Sequence, residues 1–313
     1  MPAVTVAIVQ AEVAAALAQG LDLTRTLTLE AAARGASLVV FPETWLPGYP
    51  AWLDVCRDVA LWDHPPTKQV FARYRAESLD VSGASGASLA AIAADAGVTL
   101  VVGVSERVAS GPGSGTLYNA LLTYGPDGRL LNHHRKLMPT YTERMVWGQG
   151  DSEGLRAVDT PIGRVGGLIC WEHWMPLARQ ALHVSGEDLH VAAWPTVHDR
   201  HQIASRHYAF EGRCFVLAAA SLMRAGALPP ELERDPARAG DDDTLVLRGG
   251  SAIIGPDGAY IVAPIFDEPA MLLATLDTAQ LDAERMTLDV AGHYSRPDAF
   301  LFDVRPAPPR TTS

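Results

Sequence analysis

Three cysteines in 313 residues cannot build a disulfide framework, and Cys56, Cys170 and Cys214 do not pair at the spacings of a metal site. Basic residues are outnumbered as well. With 25 Lys and Arg against 36 Asp and Glu, the formal net charge is −11, which argues against a nucleic-acid partner, whose phosphates draw on a basic surface. No apolar run reaches the roughly 18 residues a membrane span needs. The opening MPAVTVAIVQ reads as a strand and lacks a basic leader and a signal-like apolar core. A cytoplasmic chain without membrane association is expected. Charged residues make up only 19% and hydrophobic residues 48%, so core material is ample and intrinsic disorder is excluded.

The chain alternates strand and helix signals. Val4 to Val9 is a β-branched run, and Asp22 to Arg34 reads as a helix with Asp22 as N-cap and Gly35 as stop. Ser37 to Phe41 is a short apolar run of buried-strand type, and Ser88 to Ala96, Gly97 and Val98 to Val104 repeat the helix–stop–strand order. Apolar strands alternating with helices imply an α/β fold with helices over the sheet. Two Gly-Pro-Asp-Gly segments, Gly125 to Gly128 and Gly255 to Gly258, sit between strand-like runs and predict hairpins. Between them the units resume: strand Val165 to Cys170, helix Met175 to Val184, strand Leu189 to Trp194, helix His201 to Glu211 and strand Cys214 to Ala220. Residues 224–248, with Asp241-Asp242-Asp243, read as a long surface loop. A single domain over 1–305 is expected, followed by a frayed Pro-rich tail at 306–313.

Cys170 lies where an apolar strand runs into a helix. Backbone N–H groups and a helix N-terminus there would lower a thiol pKa and stabilise a developing anion. A buried cysteine packing as a small hydrophobe is the competing reading, and it is the preferred one for Cys56 and Cys214. Glu43 ends the apolar strand Val39-Val-Phe-Pro-Glu43, where desolvation would raise its pKa. Lys136 ends the first hairpin. Strand ends are where α/β sheets build sites, and here three of them present a carboxylate, an ammonium and a thiol.

Three segments, Phe41-Pro-Glu-Thr-Trp45, His134-Arg-Lys-Leu-Met-Pro-Thr-Tyr-Thr-Glu143 and Gly166-Gly-Leu-Ile-Cys-Trp-Glu-His-Trp-Met-Pro176, closely resemble the nitrilase superfamily of carbon–nitrogen hydrolases. The resemblance extends through Trp147-Gly-Gln-Gly-Asp151, Arg206 to Val216 and Gly292-His-Tyr-Ser-Arg-Pro297, nearly the whole chain, and Cys-Trp-Glu is similar to the true nitrilase branch. It implies a four-layer α-β-β-α sandwich, no cofactor and no metal. By resemblance, Cys170 attacks the nitrile carbon, Glu43 is the general base, and Lys136 stabilises developing charge with the Trp171 N–H. Glu143, seven residues beyond Lys136, would position substrate and water. His173 would lie beside the substrate, as in nitrilases that take arylacetonitriles or cyanide. A homodimer or larger homo-oligomer, formed through the helix after the cysteine, is also implied. Trp171 and Trp194 either line the pocket or pack. Glu172 and Arg213 are expected to form a structural ion pair.

The resulting function is hydrolysis of a small aliphatic or arylaceto nitrile to acid and ammonia through a thioimidate and a thioester. An amidase or carbamoylase using the same triad is the alternative. A metal-dependent hydrolase on His198, His201 and His207, and a non-enzymatic binding protein, are weaker competitors because no metal motif supports the first and the whole triad opposes the second.

Overall fold

The computed structural model describes residues 3–307. In chain order its strands begin with β1 (Val4–Gln10), β2 (Leu38–Val40), β3 (Thr99–Arg107), β4 (Leu117–Tyr124) and β5 (Leu130–Arg135). They continue with β6 (Val158–Thr160), β7 (Gly163–Ile169), β8 (Leu189–Ala193), β9 (Phe215–Ala219), β10 (Leu222–Arg224), β11 (Leu245–Ile254), β12 (Tyr260–Phe266) and β13 (Ala270–Leu276). The helices are α1 (Leu17–Ala33), α2 (Trp52–Val55), α3 (Pro65–Ala76), α4 (Ala84–Ala96), α5 (Pro176–Val184), α6 (Asp199–Gly212), α7 (Pro236–Ala239) and α8 (Ala279–Arg285).

One sheet has the order β13-β1-β2-β3-β4-β5, the other β10-β11-β9-β8-β7-β6, with β12 also paired to β11. Strands β1, β2 and β3 are parallel, as are β7, β8 and β9. Both Gly-Pro-Asp-Gly segments close hairpins as expected, between β4 and β5 and between β11 and β12. In each, the aspartate side chain accepts the N–H two residues on, Asp127 from Arg129 at 3.1 Å and Asp257 from Ala259 at 2.9 Å.

Side chains alternate across a strand, and the alternation divides the first sheet between two cores. Val6, Ile8, Leu38 and Val40 pack with Leu168, Val191, Val216 and Ile253 of the second sheet. Their neighbours Ala7, Val9, Val39 and Phe41 pack instead with Ala31 of α1 and Leu89, Ile92 and Ala93 of α4. The second sheet also meets Ala178 and Leu182 of α5 and Ala204 and Tyr208 of α6. Helix, sheet, sheet and helix thus form the four-layer sandwich. Strands covered on both faces must be apolar throughout, and burying each Val, Leu or Ile contributes roughly 1.5–3 kcal/mol.

Two expectations are corrected. The first helix starts at Leu17, not Asp22, because Leu17 and Leu21 already pack on the core. Asp22 is exposed within the helix, and the Leu17 N–H is capped from a distance by Glu77 Oε2 at 2.7 Å. Residues 224–248 are not a solvated loop. Ala225, Leu228, Leu232 and Ala239 are buried in a third cluster with Trp52, Leu53, Val146 and Trp147, so this segment closes the wall beside the site. Its Asp241-Asp242-Asp243 run is exposed. Of the expected tail, Pro306 and Ala307 carry no regular structure, and 308–313 lie outside the described residues.

Candidate active site

Strands β2, β3 and β5 point the same way, because β4 is antiparallel to both β3 and β5. The residues that follow β2 and β5 therefore emerge at one edge of the first sheet. Glu43 lies three residues beyond β2 and Lys136 directly beyond β5. Gly103 of β3 makes room for the first, since a Cβ there would stand 2.1 Å from Pro42 O and 2.7 Å from Glu43 Cα. Asn119 of β4 clamps both. Its carbonyl accepts the Lys136 N–H at 2.7 Å, and its Nδ2 donates to Glu43 Oε1 at 2.6 Å.

Lys136 Nζ donates to Glu43 Oε1 at 3.0 Å and to Glu143 Oε2 at 2.7 Å. Glu143 is held on a short 3-10 turn, Tyr141–Met145, where Oε2 also accepts the Thr140 N–H at 2.7 Å. Its Oε1 accepts the Tyr49 hydroxyl at 3.0 Å. Cys170 follows β7 and opens a second 3-10 turn, Cys170–Trp174. Its φ of +52° is a left-handed backbone that a side chain adopts only under strain, of the kind that collects at functional sites. The Cys170 sulfur and one carboxylate oxygen each of Glu43 and Glu143 lie within 4.8 Å of one another. All four residues are buried.

Two carboxylates share one ammonium here, and that sets the proton affinities. Burial pushes Glu43 up to about 7, and Glu143 adds to the rise against the opposing pull of Lys136. Burial alone would lower Lys136, but the acidic groups around it, Cys170, Glu43 and Glu143, overcome it and hold the ammonium protonated. The sequence expectation of a lowered thiol pKa is corrected. Burial and the Glu43 charge push Cys170 well up, against Lys136 and the Trp171 N–H. The resting sulfur is a neutral thiol beside a carboxylate that titrates near neutrality, an arrangement for proton transfer at the moment of attack.

The neighbours sort differently from their expectations. Glu172 does not pair with Arg213. It is buried and accepts His134 Nε2 at 2.9 Å, Leu137 N–H at 2.8 Å and Ile169 N–H at 2.7 Å. It thereby ties the chain after β5 to the end of β7, fixing Lys136 relative to Cys170. Burial raises its proton affinity, yet His134 and these N–H groups outweigh that and keep it ionised. Arg213 pairs with Glu284 at 2.9 Å, in reach only because α8 folds back over it. His173, expected beside the substrate, is buried. Its Nδ1 is 2.7 Å from the Cys170 carbonyl oxygen and its Nε2 3.0 Å from His190 Nε2, so both ring nitrogens are engaged behind the nucleophile. Trp194 is buried and stacks on His173 at 4.7 Å, with its indole N–H unpartnered. Trp171 is half-exposed, edge-on to Trp174 at 5.3 Å.

Beyond Tyr49 lies an apolar cavity of about 440 Å³ that Tyr49 lines together with Trp52, Tyr74, Met223 and Leu228. Among the described residues, the one trio with metal-ligand spacing is Glu43, Glu143 and Cys170, and Lys136 bonds both its carboxylates. His198, His201 and His207 form no such set. Sequence reasoning missed Asn119 and Tyr49. A single amide inside the apolar run Leu117 to Tyr124 was the available signal for the first; Tyr49, in Gly48-Tyr49-Pro50, had none of its own.

The sandwich and the buried glutamates, ammonium and thiol at its strand ends define a cysteine-dependent hydrolase. The chain belongs to the carbon–nitrogen hydrolase family, whose pattern residues 5–286 match. It is 40% identical over 291 residues to an aliphatic nitrilase of Sinorhizobium fredii (strain HH103), covering 92% of this chain and 91% of that protein. To a bifunctional nitrilase/nitrile hydratase of Lupinus angustifolius it is 38% identical over 294 residues, covering 92% and 82%. Among solved structures, a carbon–nitrogen hydrolase from Helicobacter pylori G27 superposes with a TM-score of 0.71 at 18% identity, over 95% of this chain and 97% of that one.

Proposed function

We propose that this protein is a nitrilase that converts a small aliphatic or arylaceto nitrile and two waters to the carboxylic acid and ammonia. The observation that carries the reading is the convergence of the Cys170 sulfur, Glu43 and Glu143 around the Lys136 ammonium. In the proposed course, Cys170 attacks the nitrile carbon while its proton passes to Glu43 and from there to the nitrile nitrogen, which gives a thioimidate and returns Glu43 to its carboxylate. Glu43 then deprotonates water, which adds to the same carbon. Lys136 and the Trp171 N–H stabilise the charge that develops. Loss of ammonia leaves a thioester, and a second water releases the acid and restores the thiol. Glu143 orients Lys136 and favours the departing ammonia. Trp194, with its free indole N–H, and Trp171 stand as substrate contacts.

The names of the relatives at 38–40% identity support nitrile over amide. A panel of aliphatic, aromatic and arylacetonitriles with their amides, scored by ammonia release, tests the reading: nitrile turnover above amide turnover is expected, and turnover of amides alone overturns it.

The reading extends to organisation. One hydrolase domain over 1–305 is supported by β13 returning from the far half of the sequence to pair with β1. A homodimer through α5 and α6 is supported by exposed Leu177, Val184, Ile203 and Phe210; a purely monomeric mass by light scattering counts against it. Among the described residues no helix is long and apolar enough to cross a membrane. Three free cysteines suit a reducing cytoplasm.

A further inference from the structure

Behind Cys170 runs a chain of buried polar groups that the hydrolysis does not use. His173 Nδ1 meets the Cys170 carbonyl at 2.7 Å, His173 Nε2 meets His190 Nε2 at 3.0 Å, and His190 Nδ1 meets Glu187 Oε2 at 2.8 Å. The Tyr208 hydroxyl donates to Glu187 Oε1, and the His190 ring stacks on Tyr208 at 3.7 Å. Glu187, His190, His173 and Tyr208 are all at most 2% exposed. The space was made for them. A Cβ on Gly166 of β7 would stand 2.2 Å from Glu187 Oε2, so glycine at that strand position admits the carboxylate.

The partners assign the protons. A carbonyl oxygen only accepts, so His173 Nδ1 carries hydrogen. Burial and His190 hold His173 neutral, which leaves Nε2 as an acceptor. His190 Nε2 must then donate, while its Nδ1 faces a carboxylate that Tyr208 already fills as donor from the other side. Each group thus orients the next, and the chain that starts at the Glu187 carboxylate ends on one carbonyl.

The carbonyl matters because of its peptide. The Cys170 C=O and the Trp171 N–H belong to the same planar unit, and that N–H is among the groups that favour the thiolate of Cys170 against burial. Withdrawing charge at the oxygen strengthens the donor at the nitrogen, since hydrogen bonds in a low-dielectric chain polarise one another. The His173 bond to that carbonyl also pins a residue whose φ of +52° is strained. We propose that Glu187, His190 and His173 are positioning residues that polarise and fix the Cys170–Trp171 peptide, strengthening the Trp171 N–H toward the sulfur and the developing anion. This rests on Cys170 as the nucleophile.

The test reads the thiol as well as turnover. The groups facing the thiol are Glu43, Lys136 and Glu143; those packed on the relay are Tyr208, His183, Glu211, Arg179, Arg285 and Cys214. In His173→Ala, kcat on one nitrile should fall between about tenfold and a hundredfold, less than the 10²–10³ of losing an oxyanion donor outright, with KM within about twofold. The pH midpoint for alkylation of Cys170 by iodoacetamide, followed by intact mass, should move upward. His173→Asn keeps an N–H for the carbonyl and should recover most of both readouts. Glu187→Gln should shift the alkylation midpoint in the same direction and by less, and it decides the matter if His173→Ala does not fold. An unchanged midpoint in folded variants overturns the proposal, as does a loss of kcat that merely follows a lowered melting temperature and is not rescued by asparagine. Alkylation needs no nitrile turnover, so failure of the relay and failure of the nitrilase reading separate cleanly.

Discussion

In front of Cys170, Glu43 is buried with its Oε2 unpartnered; behind it, Glu187 is equally buried with both oxygens engaged. The two carboxylates end at opposite extremes. Glu43 is pushed up to about 7, whereas Glu187 is held down at about 2. Burial acts on both in the same direction and is the largest influence on each. The partners decide the outcome. Glu43 shares a single ammonium with a second carboxylate, while Glu187 faces two imidazoles, His190 and His183, and a phenol. A group short of counter-charge is poised to take a proton, and a group rich in it is a fixed anion around which others are held.

The sharpest break of this contrast is at the sulfur between the two clusters. Cys170→Ala should abolish ammonia release while the far-ultraviolet spectrum and melting transition persist; turnover in that variant sinks the mechanism.

Next comes the base. Glu43→Gln keeps the shape and should lower the rate by roughly 10²–10⁴. In the wild type, kcat/KM for an uncharged nitrile should fall as pH drops through about 7, by about tenfold per pH unit, because the ionised form of Glu43 is the active one. A profile flat down to pH 5 would show that another group takes the proton.

A smaller effect is expected at Glu143. Weakening the hold on the departing ammonia by about 1.4 kcal/mol changes the partition about tenfold, so Glu143→Gln should raise the amide-to-acid ratio as its rate drops. Chromatography of both products on one nitrile measures it. A constant ratio leaves Glu143 an orienting group only.

The smallest effect is on stability and concerns sign. Glu43 binds its proton more tightly folded than unfolded. Ionising it between its ordinary 4.5 and about 7 therefore favours the unfolded chain as pH rises. The melting temperature of Glu43→Gln should gain on the wild type across that window. Glu187 acts oppositely, its stabilisation present above 4.5 and lost as pH falls toward 2. Parallel melting curves for Glu43→Gln and wild type from pH 4.5 to 7 would contradict the assignment.

Much of this was legible in residue order. The apolar strands, both Gly-Pro-Asp-Gly hairpins and the placement of Glu43, Lys136 and Cys170 after strands follow from local patterns and motif spacing. The errors share one cause. Asp22 has the chemistry of a cap, but Glu77, from the end of another helix, does the capping. Glu172 and Arg213 carry opposite charges, but His134 and Glu284 lie nearer. His173 adjoins the nucleophile in sequence, but its ring nitrogens are taken by the Cys170 carbonyl and His190.

By itself the sequence determined the strands, the hairpins and the inventory of reactive groups, because strand burial, turn chemistry and strand-end position are properties of a few consecutive residues. Only the tertiary structure decided which groups face each other across the Cys170 backbone. Proton affinities depend on charges a few ångströms apart in space, and Glu43 is brought to the Lys136 ammonium, and His190 to His173, by strands that the chain order alone does not place side by side.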